Sequence, residues 1–293
     1  MKTISKYAPI IFVALWSTGF VGAKYIIPYA EPFVFLTLRY AFATAILVFL
    51  AKILREPLRI TRTEIFQSMK VGLFLQVIYI GGVFYSVSHG VSAGVTSVIV
   101  SMQPIVVSIL GVRILNERLN LQKIVGLFLG FFGVFILLNP KIIEGVIDFQ
   151  FSAAGMTASF IALVGTTTGY LLQKKGGAEI AFLPGTAVQF ATATISFVIA
   201  AFLFEDWSVD FNLQFLAALS WFVLALSIGS IFLLFFLLRN ESASSVSSLY
   251  YLVPPLTALQ AYILFGEKIA PIGFLGLFFA VFGTILVTYK KAN

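Results

Sequence analysis

Polar side chains interrupt an apolar run near the start of the chain, where residues 16–24 read WSTGFVGAK. If this run is an α-helix, Ser17, Phe20 and Lys24 share one face, because their spacing is i, i+3 and i+7. Hydroxyl groups donate and accept hydrogen bonds and a lysine attracts anions, so this face suits a small polar ligand. The alternative is that the hydroxyls bond back to their own helix and that Lys24 snorkels to a membrane surface.

The second half of the chain repeats this pattern at a constant offset. The aligned identities include Thr18 with Thr168, Gly19 with Gly169, Lys24 with Lys174, Pro104 with Pro254 and Glu117 with Glu267. Chance produces matches among small residues and Phe in apolar sequence, but it does not hold Pro, Glu and Lys in one register. Thr167, Tyr170 and Lys174 therefore form a second polar face equivalent to the first, and we infer an internal duplication.

The composition requires a lipid environment for these helices. Of the 293 residues, 60% are hydrophobic and 11% are charged, whereas soluble domains contain about 25% charged residues. Runs of about 20 apolar residues, each long enough to span a bilayer as a helix, occupy residues 8–28, 32–54, 68–88, 92–115, 121–138, 153–173, 182–204, 213–238, 243–265 and 269–289. We predict an all-α membrane protein with ten transmembrane helices.

Five spans is an odd number, so the second copy must enter the membrane from the opposite side. The prediction is two inverted five-helix repeats, 1–139 and 153–293, joined by a linker over 140–152. The net charge of +7 is explained by orientation, because Lys and Arg concentrate in the loops of one side while only Lys141 and Lys268 lie in loops of the other. This distribution predicts cytoplasmic N- and C-termini in the inner membrane of the cell, and no nucleic-acid partner.

Aromatic and amide side chains indicate a pocket beside the hydroxyl faces. Gln76 and Tyr79 share a face of the third span, and Trp16 lies mid-span, where an interfacial belt does not explain it. With Tyr170 and Tyr250 they could hold a small amphipathic metabolite; the alternative is that these aromatic rings face lipid. The predicted substrate-binding residues are Trp16, Ser17, Thr18, Lys24, Gln76, Tyr79, Ser97, Ser101, Thr167, Tyr170, Ser247, Tyr250 and Tyr251.

Prolines interrupt the fourth and ninth spans at equivalent places. Pro104 and Pro254 each remove a backbone hydrogen bond and favour a kink. Polar residues share their faces, namely Ser97, Ser101 and Ser108 in the fourth span and Ser247 and Tyr251 in the ninth. We predict that the two kinked helices gate access from opposite sides; the alternative is that the prolines only bend the helices for packing.

Other polar residues are interpreted as structural. Arg39 lies well inside the second span, where an unpaired charge is costly, so we expect a bridge to Glu31 or to helix-end carbonyls rather than substrate contact. Glu117 and Glu267 lie at the membrane edge and are interpreted as helix ends. Glycine stripes in the fifth and tenth spans predict close helix packing. The chain has no Cys and one His, so neither a metal site nor a cofactor is predicted.

Several stretches resemble the EamA family of the drug/metabolite transporter superfamily. They are WSTGF at the start of the first span, EPFVFLTLR leading into the second, Pro104 with LNERL closing the fourth, and Pro254 with FGEK closing the ninth. The resemblance covers the whole chain and implies a carrier, although relatives carry amino acids, sugars, nucleotide sugars, purines and drugs. The first span lacks the glutamate of the small multidrug relatives, which weakens a proton antiport mechanism.

The predicted function is that of an alternating-access secondary transporter for a small polar or amphipathic metabolite, with an amino acid or related carboxylate as the best candidate. The alternatives are a multidrug or organic-cation exporter, a channel, and a membrane-embedded enzyme. An enzyme is not expected, because the spans contain no Cys, no deep Asp or Glu, and no pair of a nucleophile with a base. A homodimer is compatible with the sequence, but a monomer is sufficient.

Overall fold

The computed structural model describes residues 2–55, 60–91, 93–143, 152–177, 179–265 and 271–288, and these residues form a helical protein. Its helices are α1 Lys2–Ile26, α2 Pro32–Ile53, α3 Arg62–Ser88, α4 Ala93–Val100, α5 Gln103–Ile114, α6 Leu121–Ile143, α7 Ala153–Gly177, α8 Phe182–Phe204, α9 Leu213–Asn240, α10 Ala243–Ser248, α11 Val253–Phe265 and α12 Pro271–Thr288. Over the described ranges there is no β-strand, only an isolated antiparallel bridge between Ala30 and Val209.

In the part of the chain that the structure describes, seven helices are long and apolar enough to cross a membrane. They are Tyr7–Ile26 of α1, α2, α3, α7, α8, α9 and α12. The segments Gln103–Ile114 and Leu121–Leu137 are shorter apolar helices. The predicted class of α-helical membrane protein is therefore confirmed, while the count of ten spans stays a prediction. Helix α6 extends to Ile143, over the first residues of the predicted linker, whose residues 144–151 lie outside the described ranges.

The fourth and ninth predicted spans are each broken just before their proline. The fourth is divided at Ser101–Met102, so that Pro104 stands in the first turn of α5, where its missing N–H removes no helical hydrogen bond. In the ninth, a 3₁₀ turn, Leu249–Leu252, separates α10 from α11, and Pro254 again lies in the first turn that follows. The predicted kinks are thus interruptions, and the proline begins the second half of each span.

Two long helices contain widened turns at equivalent positions of the repeat. Hydrogen bonds of the π type run over Gly72–Gly81 in α3 and over Phe222–Ser230 in α9. Helix α3 packs against α7 over the first segment, and α9 packs against α1 over the second. Helices α2 and α8 pack against each other, as do α6 and α12. Wide turns of this kind are often found at functional sites.

Small residues allow α6 and α12 to pack with their backbones in contact, as the glycine stripes predicted. A Cβ atom at Gly126 would lie 2.7 Å from the carbonyl oxygen of Gly283, and one at Gly133 would lie 2.6 Å from that of Gly276. Both distances are shorter than any real Cβ contact, so only glycine fits. This pair of helices is a scaffold that brings the end of each half into contact with the other.

At one end of the molecule, a carboxylate caps a helix of the other half of the chain. Glu205, which follows α8, accepts hydrogen bonds from the backbone N–H groups of Phe33 and Val34, both at 2.8 Å, and so caps the N-terminus of α2. Burial raises the pKa of the Glu205 carboxyl, while these two hydrogen bonds lower it in part. The loop after α8 is therefore held to the turn before α2.

A second carboxylate, on the turn before α2, accepts hydrogen bonds from the loop after α8. Glu31 accepts hydrogen bonds from the backbone N–H groups of Asp206 and Ser208 at 3.0 and 3.1 Å, and Ala30 forms the antiparallel bridge with Val209. We call this contact between residues 29–34 and 205–210 the α1–α2 clasp. It joins the two halves of the chain at one end of the helices.

The opposite end carries a second carboxylate cap and an open cavity. Glu117 accepts hydrogen bonds from the backbone N–H of Ala243 at 2.5 Å and from the hydroxyl of Ser244 at 2.9 Å, so it caps α10. Its position at a helix end was predicted, whereas its equivalent, Glu267, lies outside the described residues. Glu117 also lines a cavity of about 540 Å³ between the ends of α5, α7 and α9.

Candidate binding cavity

Three of the predicted aromatic residues meet in the interior of the protein. The ring of Trp16, on α1, lies 5.7 Å from that of Tyr250, in the 3₁₀ turn before α11, measured between centroids. Tyr170, on α7, lies 6.0 Å from Tyr250, and both contacts are edge-on. Phe12 completes the group at 5.2 Å from Trp16. We call these four residues the aromatic cluster; all of them are buried.

The hydroxyl groups of this cluster are unsatisfied. Among the described residues, neither the Tyr170 Oη nor the Tyr250 Oη has a hydrogen-bond partner, and the same holds for Thr167, one turn before Tyr170. Buried polar groups nearly always find a partner, and those without one in the protein are commonly met by water or ligand. The cluster thus offers apolar ring faces together with unused hydrogen-bonding groups.

A cavity of about 40 Å³ adjoins the cluster through Trp16. Tyr79 and Arg39 also line it, together with apolar residues of α1, α3 and α9. Tyr79 is 1% exposed and Arg39 is 5% exposed. Gln76, one turn before Tyr79, accepts a hydrogen bond from the Tyr40 hydroxyl at 2.9 Å, while its Nε2 has no partner among the described residues. Of the five residues predicted to form one pocket, Trp16 and Tyr79 line this cavity. Tyr170 and Tyr250 belong to the aromatic cluster, and Gln76 is bonded to Tyr40.

Of the two partners predicted for Arg39, Glu31 is wrong, and no helix-end carbonyl is hydrogen-bonded to it among the described residues. The Arg39 Nε donates to the Ser227 hydroxyl at 2.8 Å, and the Glu31 carboxylate belongs to the α1–α2 clasp. The reason is that the backbone N–H groups after α8 compete for Glu31, while Arg39 points between α2 and α9. No periodicity in the sequence could indicate this choice of partner.

The Ser17 and Thr18 hydroxyls of α1 bond back to their own helix, which was the alternative to ligand binding. Ser17 and Thr18 donate to the carbonyls of Ala14 and Leu15 in their own helix, at 2.9 and 2.7 Å. Ser17 also accepts a hydrogen bond from Gln260 at 2.8 Å. Both residues therefore contribute to helix packing. On the second polar face, Thr167 and Tyr170 both keep hydroxyls with no partner among the described residues.

Thr18 lies beside an exposed residue and outside the cavity lining. The exposed Trp221 donates from its indole Nε1 to the Thr18 hydroxyl at 2.9 Å. This places Thr18 towards the outer surface between α1 and α9.

The serines of the broken spans are buried and bonded locally. Ser101 donates to the carbonyl of Ser97 at 2.6 Å, and Ser247 donates to that of Ser244 at 3.1 Å. Tyr251 points away from its neighbour Tyr250 and packs against the α6–α12 scaffold, in contact with Gly130. The structure therefore separates these predicted binding residues from the aromatic cluster.

The two equivalent lysines occupy different environments. Lys24 is exposed at the last turn of α1 and is not among the residues lining the cavity. Lys174 is half-buried and donates to the carbonyls of Leu238 and Glu241, and so caps the C-terminus of α9. A cation at a helix C-terminus is stabilising, so Lys174 has a structural role.

Several buried polar residues were not predicted from the sequence, and Gln103 and Thr166 are two of them. Gln103, at the start of α5, is fully buried, and neither atom of its amide group has a partner among the described residues. Thr166 on α7 is likewise buried with an unused hydroxyl, and α5 packs against α7. An amide beside a proline within an apolar span is a signal that could have identified Gln103.

The comparison with known proteins assigns the family. The profile of the EamA-like transporter family matches residues 7–139 and 153–289, so the chain belongs to this family. It is 26% identical to an uncharacterized transporter of Archaeoglobus fulgidus, covering 95% of this chain and 96% of that protein. It is 25% identical to the uncharacterized transporter YvbV of Bacillus subtilis, over 99% and 93%. Protein PecM of Dickeya dadantii is 22% identical over 98% and 92%.

A solved crystal structure shares the fold. It aligns with a TM-score of 0.78 over 96% of both chains, at 16% identity. The family and the apolar helices together define a multi-pass membrane transporter of the drug/metabolite transporter superfamily. The family and the relatives from Archaeoglobus fulgidus and Bacillus subtilis are named as transporters, and their names specify no substrate.

Proposed function

We propose that this protein is an alternating-access secondary transporter that binds a small polar or amphipathic metabolite, an amino acid or related carboxylate, at the aromatic cluster. The observation that carries this proposal is the meeting of Trp16 from the first half with Tyr170 and Tyr250 from the second. Substrate sites of such carriers lie where two repeats meet. The unused hydroxyls of Tyr170 and Tyr250 would orient the substrate.

An inverted repeat of ten spans is supported by the pairing of helices. The widened turns Gly72–Gly81 and Phe222–Ser230 start at positions that the sequence repeat aligns. The contacts α3–α7 and α9–α1 are equivalent under the repeat. The contacts α2–α8 and α6–α12 each join a helix to the equivalent helix of the other half. This is the pattern that two halves related by a two-fold axis in the membrane plane would produce.

Closure at one end and opening at the other fit one state of an alternating-access cycle. The α1–α2 clasp closes one end, while the cavity of about 540 Å³ opens at the other. We place both termini in the cytoplasm, on the side of the inner membrane where this cavity opens. The state is therefore inward-facing. The breaks before Pro104 and Pro254 are the proposed hinges of the two gates.

The substrate class follows from the charges within the spans. All 12 Asp and Glu residues lie near or beyond the ends of the predicted spans, so an organic cation would meet no deep counter-charge, which weakens the multidrug alternative. The buried Arg39 instead favours an anionic group. A monomer contains the whole site, and a homodimer is not required.

Flux through proteoliposomes tests this function. We expect a thermal-shift screen over amino acids, carboxylates, nucleosides and sugars to identify ligands, and the hits to show saturable counterflow, in which unlabelled substrate inside accelerates uptake of labelled substrate. Protein-free liposomes are the control. Single-channel currents in place of saturable counterflow would contradict a carrier.

A further inference from the structure

Within the described residues, the partners of Arg39 are all neutral. Its guanidinium carbon lies 5.0 Å from the ring centroid of Tyr40 and 5.1 Å from that of Phe222, in addition to the hydrogen bond to Ser227. Among the described residues, no carboxylate forms an ion pair with it. Aromatic faces stabilise a desolvated cation, but by less than the cost of burying an unpaired charge in a protein interior.

The repeat shows that packing alone does not require this charge. The residue equivalent to Arg39 is Gln189 on α8, which donates to the side-chain oxygen of Gln173 at 3.2 Å. A Cβ at Gly72, the equivalent of Phe222, would lie 2.8 Å from the Cα of Gln189. In the second half, the same place is therefore filled by close backbone packing and a neutral amide pair, whereas in the first half it holds the Arg39 cation beside the cavity of about 40 Å³.

The cavity beside Arg39 has the chemistry of a carboxylate site. A guanidinium can donate two parallel hydrogen bonds to one carboxylate, and this would supply the missing counter-charge. The wall opposite is apolar and includes Phe20, Phe84 and Leu226, which suits the hydrocarbon part of an organic acid. A volume of about 40 Å³ holds about three water molecules, so in this state the cavity accepts little more than the acid group.

We propose that Arg39 binds the carboxylate of the transported substrate, and that the substrate class is small organic carboxylates, amino acids included, with an apolar body beside the aromatic cluster. This inference rests on the proposed function for the movement of the ligand, but the binding site can be tested by itself. It assigns to Arg39 a direct contact with substrate in place of the structural role predicted from the sequence.

Binding of matched acids and amides tests this site. The probes are L-leucine against L-leucinamide and 4-methylpentanoate against 4-methylpentanamide, titrated into the purified full chain and followed by thermal shift and by the intrinsic fluorescence of its three tryptophans. In the wild type we expect each acid to bind at least about tenfold more tightly than its amide, the typical effect of a charge-assisted hydrogen bond. Arg39→Gln, which copies Gln189, should bind acid and amide equally, and Arg39→Lys should keep part of the preference.

The control variant is Arg113→Gln, which removes an exposed cation at the end of α5 and should retain the full preference for acids. Equal binding of acid and amide by the wild type, or binding of neither, would overturn the inference even if Arg39→Gln fails to fold. A preserved preference in a folded Arg39→Gln variant would overturn it as well. Acid-selective binding without counterflow would support the carboxylate site and contradict the transporter function. Counterflow without acid selectivity would support the transporter function and contradict the carboxylate site.

Discussion

Replacing Gly283 with alanine is expected to lower the free energy of unfolding by about 1–3 kcal/mol, the usual effect of overpacking. The added methyl group would lie 2.5 Å from the carbonyl oxygen of Gly126 and 2.7 Å from the Cα of Gly130. Both are backbone atoms of α6, so no side-chain rotation can relieve the clash and the two helices must separate. The free energy of unfolding would be measured by denaturant titration in detergent, followed by far-UV circular dichroism.

The matched control for this experiment is Gly111→Ala in α5. A Cβ atom there meets only the Glu117 carboxylate at 3.8 Å, an ordinary contact. Because alanine favours a helix over glycine by about 1 kcal/mol, this variant should be neutral or slightly stabilised. If both variants unfold at the same denaturant concentration, α6 and α12 are not packed as the structure shows.

Removing the hydroxyl of Tyr250 is expected to impair transport without impairing stability. This oxygen is buried and has no partner among the described residues, so Tyr250→Phe should leave the free energy of unfolding unchanged or raise it. If the substrate uses the hydroxyl, its loss should raise the KM of counterflow by about tenfold. Counterflow kinetics and unfolding of the same preparation give the two measurements.

The neighbouring tyrosine makes this test specific. The Tyr251 hydroxyl is also buried and unpartnered within the described part of the chain, but its ring packs on the α6–α12 scaffold. Tyr251→Phe should therefore change the KM less than about twofold, as should Tyr262→Phe at an exposed position on α11. Equal losses for Tyr250→Phe and Tyr251→Phe would show that the aromatic cluster is not the binding site.

The helical class and the close packing of α6 with α12 could be predicted because they follow from local composition and spacing. Long apolar runs are sufficient for membrane helices, and glycine stripes are sufficient for close packing. The breaks were less predictable: Pro104 and Pro254 marked the place, but a proline can bend a helix or begin one. Whether the helix continues through Ser101 or ends there depends on which neighbouring helices satisfy the freed backbone groups.

For the candidate site, the sequence indicated which types of residue take part better than it indicated where their side chains point. Trp16, Tyr170 and Tyr250 meet as expected, since mid-span polar aromatic residues tend to face the protein. Tyr250 and Tyr251 could not be distinguished, because a 3₁₀ turn rotates successive side chains differently from an α-helix. The partner of Arg39 could not be predicted either, since it depends on a serine in the other half of the chain.

The alternating-access mechanism is tested most directly by locking the α1–α2 clasp. Ala30 and Val209 face each other across an antiparallel bridge, where Cα atoms are about 4.5–5.5 Å apart, within the range that a disulfide spans. The chain has no Cys, so the double variant Ala30→Cys with Val209→Cys can form only this bond within one molecule. Each single variant, treated with the same oxidant, is the control.

We expect complete oxidation of the double variant to reduce counterflow to the level of protein-free liposomes, and a reductant to restore it, because the locked end cannot open. Each single variant should retain its flux under the oxidant. Undiminished counterflow through a fully cross-linked clasp would contradict alternating access at this end of the molecule.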